Sequence, residues 1–206
     1  MENETMTSAI DFYFDFSSPY GYFAATRIDA LAAKYGRSVN WHPLLLGAIF
    51  KTTGCLPLPM VPLKGDYVYR DFERCARFHG IAYRRPPVFP LATQLPARAM
   101  LWVRQAHGAP KAVEFAQAVY RAYFVDGVNI NDADALAPVA AAIGLEAASM
   151  IDGANSAAIK DQLKADVETA LARRVFGSPF VIVDGEPFWG FDRFDQLEAF
   201  LINGKI

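Results

Sequence analysis

The order of hydrophobic patterns at the two ends of the chain restricts its fold more than any other feature. Residues 10–16, IDFYFDF, place Ile10, Phe12, Phe14 and Phe16 in strict alternation with Asp11, Tyr13 and Asp15, the period of a strand. The next stretch carries Tyr20, Phe23, Ala24, Ile28, Leu31 and Tyr35 at helical spacing and stops at Gly36. Ser38 to Leu46 then reads as a second strand. The protein therefore opens β-α-β, for which a right-handed crossover is expected. It closes differently. Phe180 to Val183 reads as a strand, Asp184-Gly185 as a type I′ turn, and the segment through Phe188 and Trp189 as a second strand. Asp192 is expected to cap a last helix whose apolar face is Phe194, Leu197, Phe200 and Leu201.

Between these ends the pattern is helical. Helices are expected over Tyr67–Phe78, Pro96–Ala106, Pro110–Phe124, Asp132–Ile143 and Ser156–Arg173, the last with Ile159, Leu163, Val167 and Leu171 on one stripe. The proline-rich run from Arg84 to Gln94 suits an ordered, extended connection. A βαβ unit and a ββα unit separated by a helical block is the pattern of an α/β thioredoxin fold with a large all-helical insertion. The expected division is residues 8–47 and 174–204 for the discontinuous thioredoxin-like part, and 48–173 for the insertion.

Composition narrows the function classes. Of the 206 residues, 53% are hydrophobic and 20% charged, enough apolar matter for a buried core. The net charge of −2 offers no electrostatic footprint for nucleic acid or an anionic membrane, and no apolar run reaches the length that spans a bilayer. The start, MENETMTSAI, has neither a basic leader nor an apolar core, so a cytoplasmic location is expected. Cys55 and Cys75 form no C-x-x-C pair, and without a signal a structural disulfide is not expected. His42, His79 and His107 lack metal-ligand spacing, so no metal site is expected. Residues 126–132, DGVNIND, resemble a calcium loop only superficially: the glycine is misplaced and no glutamate closes it, so they read as a loop capping the next helix. No phosphate-binding glycine motif is present.

The chemistry concentrates at the start of the first helix. There Ser18 precedes Pro19, a cap residue followed by a residue suited to the first helical position. Free N–H groups and the positive end of the helix dipole favour a thiolate at this place. Redox proteins of this fold carry a C-x-x-C here, whereas this protein has Ser18-Pro19-Tyr20-Gly21. A serine cannot exchange disulfides, but it can either cap the helix or donate a hydrogen bond to a thiolate brought by a ligand, glutathione above all. Ser178-Pro179, just before the third strand, is either a rigid turn or a cis peptide beside the first helix. In the second case Ser178 would offer its backbone N–H and C=O to the cysteinyl unit of glutathione, as an added strand does. Gly190, Phe191, Asp192 and Arg193 open the last helix. Asp192 is either a cap or the acceptor for the γ-glutamyl ammonium, with the helix start receiving the carboxylate.

These segments carry a resemblance. DFSSPYGY, LLLGAIFKTTG, K-G-x-Y at Lys64–Tyr67, RDFERCARFHGI and FGSPFVIVDGEPFWGFDR together resemble the 2-hydroxychromene-2-carboxylate isomerase family. That family is close to the kappa-class glutathione transferases within the DsbA-like thioredoxin superfamily. The resemblance runs from about Ile10 to Leu201. It implies a glutathione-dependent isomerase acting on a small aromatic α-keto acid or chromene carboxylate in aromatic degradation. In that reading Ser18 holds the glutathione sulfur as thiolate, and Ser178, Pro179, Gly190, Phe191, Asp192 and Arg193 line the cofactor. Lys51 is the first choice for a cation at the substrate; Lys64 is the second, or else pairs with the glycine carboxylate of glutathione. Either lysine can also be a solvated surface residue, and Tyr67 is either a donor or packing.

The resemblance further implies a homodimer. Two positions depart from the family pattern where it commonly has asparagine: Cys55, placed at the substrate, and Ala92. A thiol and a methyl replace an amide there, so the substrate is less constrained than the use of glutathione. The alternatives are a kappa-type transferase or peroxidase and a non-catalytic thioredoxin-fold peptide binder. Cys55 is expected to be an idle thiol rather than a second nucleophile, and Cys75 to lie in the core.

Overall fold

The structure, a computed structural model, describes residues 9–206; the N-terminal start, through residue 8, lies outside the described residues. Strands β1 (Ile10–Phe14), β2 (Val39–Pro43), β3 (Phe180–Val183) and β4 (Glu186–Trp189) form a four-stranded sheet in the order β2-β1-β3-β4. β1 and β2 run parallel; β3 is antiparallel to both β1 and β4. The parallel pair is linked through α1 (Pro19–Ala25) and α2 (Ile28–Lys34). The β3–β4 turn has positive φ at both Asp184 (51°) and Gly185 (88°), as a type I′ turn requires. This is the thioredoxin sheet expected from the two ends of the sequence.

Both faces of the sheet are covered. Phe12, Phe14, Trp41, Val181 and Val183 pack with Tyr22, Phe23, Ile28 and Leu197 and with the inner faces of the central helices. Tyr13, Phe180 and Ile182 face the other way, onto Leu44, Ile49, Ala170 and Val175. Hence Tyr13, on the more polar register of β1, is only 3% exposed. The helices between β2 and β3 are α3 (Leu46–Thr53), α4 (Lys64–His79), α5 (Gln94–His107), α6 (Ala109–Arg121), α7 (Ala133–Ala142), α8 (Ala147–Asn155) and α9 (Ala157–Ala172), and α10 (Phe194–Asn203) ends the fold. α6 runs on into a π-helical turn, Ala122–Asp126. Asp132 caps α7 by accepting from the N–H groups of Asp134 and Ala135, and Ser156 caps α9. Among the described residues no helix is long and apolar enough to cross a membrane.

Several expectations need correction. The helix expected to run unbroken to Tyr35 breaks after Ala25, where Thr26 Oγ1 donates to Phe23 O (2.7 Å) and Arg27 N–H donates to Ala24 O (3.0 Å), tightening the turn. The second strand ends at Pro43 instead of Leu46. Leu46 N–H donates to the Asp15 carboxylate at 2.6 Å and starts α3, a helix that the apolar run LLLGAIF conceals. α4 begins at Lys64, one turn before Tyr67, and α8 is a further helix that the expected set lacks. Asp192 caps no helix. α10 starts at Phe194 after a 3₁₀ turn over Phe191–Arg193 with no capping side group, and the Asp192 carboxylate lies 3.3 Å from Arg193.

Candidate active site

Beyond the end of β1 the fold leaves a cleft of about 830 Å³. Its lining includes the turn from Asp15 to Tyr20 together with Gly177-Ser178, the adjoining start of α3, and the proline-rich strap from Cys55 to Val61. The loop Phe89–Gln94, Phe176 and Trp189 also line it.

Ser18 is the N-cap of α1. Its backbone is extended (φ −91°, ψ 113°), its Oγ accepts Gly21 N–H at 3.0 Å, and Pro19 takes the first helical position. The hydroxyl donates to the Ser178 carbonyl at 2.9 Å, so the serine also bridges to the loop before β3. The Ser178-Pro179 peptide is cis. Of the two backbone groups of Ser178, the C=O thus already accepts from Ser18, while the N–H has no hydrogen-bond partner among the described residues. Pro179 is buried, and its carbonyl accepts Gly190 N–H at 3.0 Å, which ties the end of β4 to the same loop.

Beneath Ser18 sits Asp15, 3% exposed. Its carboxylate accepts from Ser17 N–H (2.7 Å), Leu46 N–H (2.6 Å) and Thr93 Oγ1–H (3.0 Å). Its backbone carbonyl accepts Ser18 N–H (2.9 Å) and Tyr120 O–H (3.0 Å), and its N–H donates to Ser178 Oγ (2.9 Å). One residue thereby joins the β1–α1 turn, the start of α3, the start of α5, α6 and the Ser178 loop. Burial pushes its carboxyl above the usual range, against the pull of the three donors. Gly21 is the fourth residue from Ser18, where a C-x-x-C protein has its second thiol. A Cβ there would lie 2.7 Å from Ser178 Oγ and 2.9 Å from Tyr120 Oη, so the packing leaves no space for a larger residue. Dithiol chemistry is thus absent by residue type at Ser18 and by space at Gly21.

The cleft brings together Ser18, Ser178, Lys64 and Cys55 of the residues singled out by sequence; Ala92 also lines it. Lys51 lies exposed in the last turn of α3 and does not line the cleft. Gly190, Asp192 and Arg193 are outside its lining, and Phe191 is buried against Phe23 and His79. Tyr67 is exposed and accepts from Arg74 at 2.8 Å. Cys75 packs half-buried against the core, where burial, reinforced by Asp71 and Asp192, pushes its thiol up to about 11. Sequence reasoning missed Asp15, Thr93 and Tyr120. It also missed Tyr20, which lines the cleft and donates to Asp71. Burial opposes ionisation of Asp71, but donors from Tyr20, Arg74 and Tyr67 hold its carboxyl below the usual range. The signal at Asp15 was an acid inside an aromatic strand two residues before S-S-P; strand alternation alone assigns it to the outer face.

The model of the DSBA-like thioredoxin domain family matches residues 9–201. The 2-hydroxychromene-2-carboxylate isomerase of Sphingobium xenophagum is 30% identical over 201 residues, covering 96% of this chain and all of that one. A solved structure of a 2-hydroxychromene-2-carboxylate isomerase superposes with a TM-score of 0.81 at 27% identity, over 93% of each chain. Glutathione S-transferase kappa 2 of Caenorhabditis elegans is 23% identical over 205 residues, covering 93% of this chain and 91% of that one. The protein therefore belongs to the DsbA-like thioredoxin family and, within it, to the 2-hydroxychromene-2-carboxylate isomerase family.

Proposed function

We propose that this protein is a glutathione-dependent isomerase that interconverts 2-hydroxychromene-2-carboxylate and trans-o-hydroxybenzylidenepyruvate, or a close analogue, as a cytoplasmic homodimer. The observation that carries the reading is the pairing of a helix-capping serine with Ser178 across the head of a large, mostly apolar cleft, in a protein that matches relatives named isomerases over more than nine-tenths of its length. The residues fit glutathione. Ser178 N–H is an unpaired donor at the cleft wall, Ser18 supplies a hydroxyl at a helix start, and Lys64 supplies a positive charge. The relative named as a kappa glutathione transferase supports the same cofactor.

When bound, glutathione would supply a nucleophilic thiolate whose reversible addition to a conjugated substrate permits isomerisation without net redox change. Ser18 stabilises the sulfur as an anion by a charge-assisted hydrogen bond. Ser178 aligns the cysteinyl backbone as a strand edge does. Lys64 receives a carboxylate, and the apolar strap and Phe89–Leu91 loop exclude water, which strengthens both interactions. Ser18 and Gly21 leave the helix start without the pair of thiols that disulfide exchange by a C-x-x-C motif requires.

Calorimetry with glutathione is the first test; no binding at millimolar concentration overturns the reading. The second follows the absorbance of 2-hydroxychromene-2-carboxylate with and without glutathione. Ser18→Ala is expected to lower kcat by about a hundredfold, the order of a lost hydrogen bond to a charged group. Full activity in that variant removes Ser18 from the mechanism.

A further inference from the structure

The Ser18 hydroxyl carries one hydrogen, and the fold already uses it. It goes to the Ser178 carbonyl, 2.9 Å away, while a lone pair of the same oxygen takes Gly21 N–H. A carbonyl can only accept, so the direction of the first bond is certain. To donate to a sulfur, the hydroxyl must first leave Ser178.

The surroundings of this bond do not depend on it. Ser18 N–H rests on the Asp15 carbonyl and Ser178 Oγ on the Asp15 N–H, both at 2.9 Å. Tyr120 braces the same Asp15 carbonyl at 3.0 Å, and Gly21 packs against Ser178 Oγ with no space to spare. Within a frame held by other bonds, the hydroxyl hydrogen is the part that can turn. Next to it, Ser178 N–H has no partner among the described residues, so the loop presents one open donor and one occupied acceptor.

Resting on the glutathione reading above, we propose that Ser18 and Ser178 form a hydrogen-bond switch that selects thiols by the amide beside the sulfur. The cysteinyl N–H of the ligand pairs with the Ser178 carbonyl and takes the place of the Ser18 hydroxyl. The hydroxyl then rotates about its Cβ–Oγ bond and donates to the thiolate. The carbonyl has two lone pairs, so the incoming N–H binds before the hydroxyl leaves and the acceptor is never unpaired. No covalent bond to Ser18 hydrogen breaks, and the proton lost by the ligand thiol goes to solvent. A thiol with no amide N–H must pull the hydroxyl away with nothing to replace it. The half-buried carbonyl is then left bare, which lowers the thiolate form by about tenfold.

The test compares glutathione with its ester analogue, in which oxygen replaces the cysteinyl N–H, using the full-length protein. Calorimetry reads binding and ultraviolet difference absorbance reads the bound thiolate. The expected result is a strong thiolate signal for glutathione at neutral pH and about tenfold less for the saturating ester. In Ser18→Ala the signal is expected to vanish for both ligands while glutathione still binds. Equal thiolate fractions for glutathione and the ester overturn the switch alone. No calorimetric binding of glutathione overturns the cofactor reading and the switch with it.

Discussion

On one side of the cleft, Asp15 and Ser18 are 3% and 6% exposed and are bound through backbone and side-group atoms to four other segments. In the strap that also lines the cleft, Leu56 and Leu58 are 56% and 44% exposed. The strap holds itself by short-range bonds, Met60 N–H to Pro57 O (2.8 Å) and Val61 N–H to Leu58 O (3.2 Å). It rests on α4 at Gly65, where a Cβ would meet Pro59 O at 2.4 Å. Directional bonds made by backbone groups tolerate little change, whereas apolar contact is roughly proportional to area and indifferent to direction. Under the proposed function, the serine wall suits one fixed ligand and the strap suits a range of substrates of similar apolar character. Cys55 and Ala92, the two departures from the family pattern, both line the cleft outside the serine wall.

The contrast is broken most severely by Gly21→Ala. Its Cβ collides with Ser178 Oγ and Tyr120 Oη, both held by Asp15, so the frame must shift. Destabilisation of about 1–3 kcal/mol by chemical denaturation and loss of nearly all glutathione binding are expected; a fully active variant shows that the frame is softer than its bonds suggest. Asp15→Asn comes next. It exchanges a carboxylate that accepts from three donors for an amide that can face only some of them, a loss of about 2 kcal/mol. The pH dependence carries the sign. Burial raises the folded-state value of Asp15 above its unfolded value of 3.8, so its favourable contribution is complete below 3.8 and is lost as pH rises through the folded value. The wild type should thus lose stability relative to Asp15→Asn over that range, and a pH-independent gap between the two would contradict it.

Lys64→Ala tests which lysine belongs to the cleft. About a tenfold rise in KM is expected, while Lys51→Ala, outside the lining, should match the wild type in KM and kcat; the opposite ranking reassigns the cation. Leu58→Ser on the strap has the smallest effect. Its stability should stay within about 0.5 kcal/mol of wild type, since the residue is nearly half exposed, while KM for the aromatic substrate rises about threefold and glutathione affinity is unchanged.

Much of this molecule was legible in its residues. The period-2 run at Ile10 and the Asp184-Gly185 turn each follow from local rules, and each is found in the structure. So do the cap at Ser18 and the loop that ends at Asp132 and caps the next helix. The break at Thr26, the short second strand and α3 were not legible, because the competing bonds come from residues far apart in sequence or from a threonine that any helix can hold. At the site, Ser18 was identified by its motif, whereas the Asp15 hub was hidden. Its acceptors and donors include Leu46, Thr93, Tyr120 and Ser178, between 31 and 163 positions away.

The sequence by itself determined the split β-α-β and β-β-α frame and a serine where a redox relative has cysteine, since both depend on short-range periodicity and on the chemistry of single residues. Only the tertiary structure decided that the serine hydroxyl is already bonded to Ser178, that Gly21 leaves no space for a second thiol, and that Lys64 rather than Lys51 lines the cleft. Those outcomes depend on which distant segments meet at the end of β1, and contact between distant segments is set by the packing of the whole core.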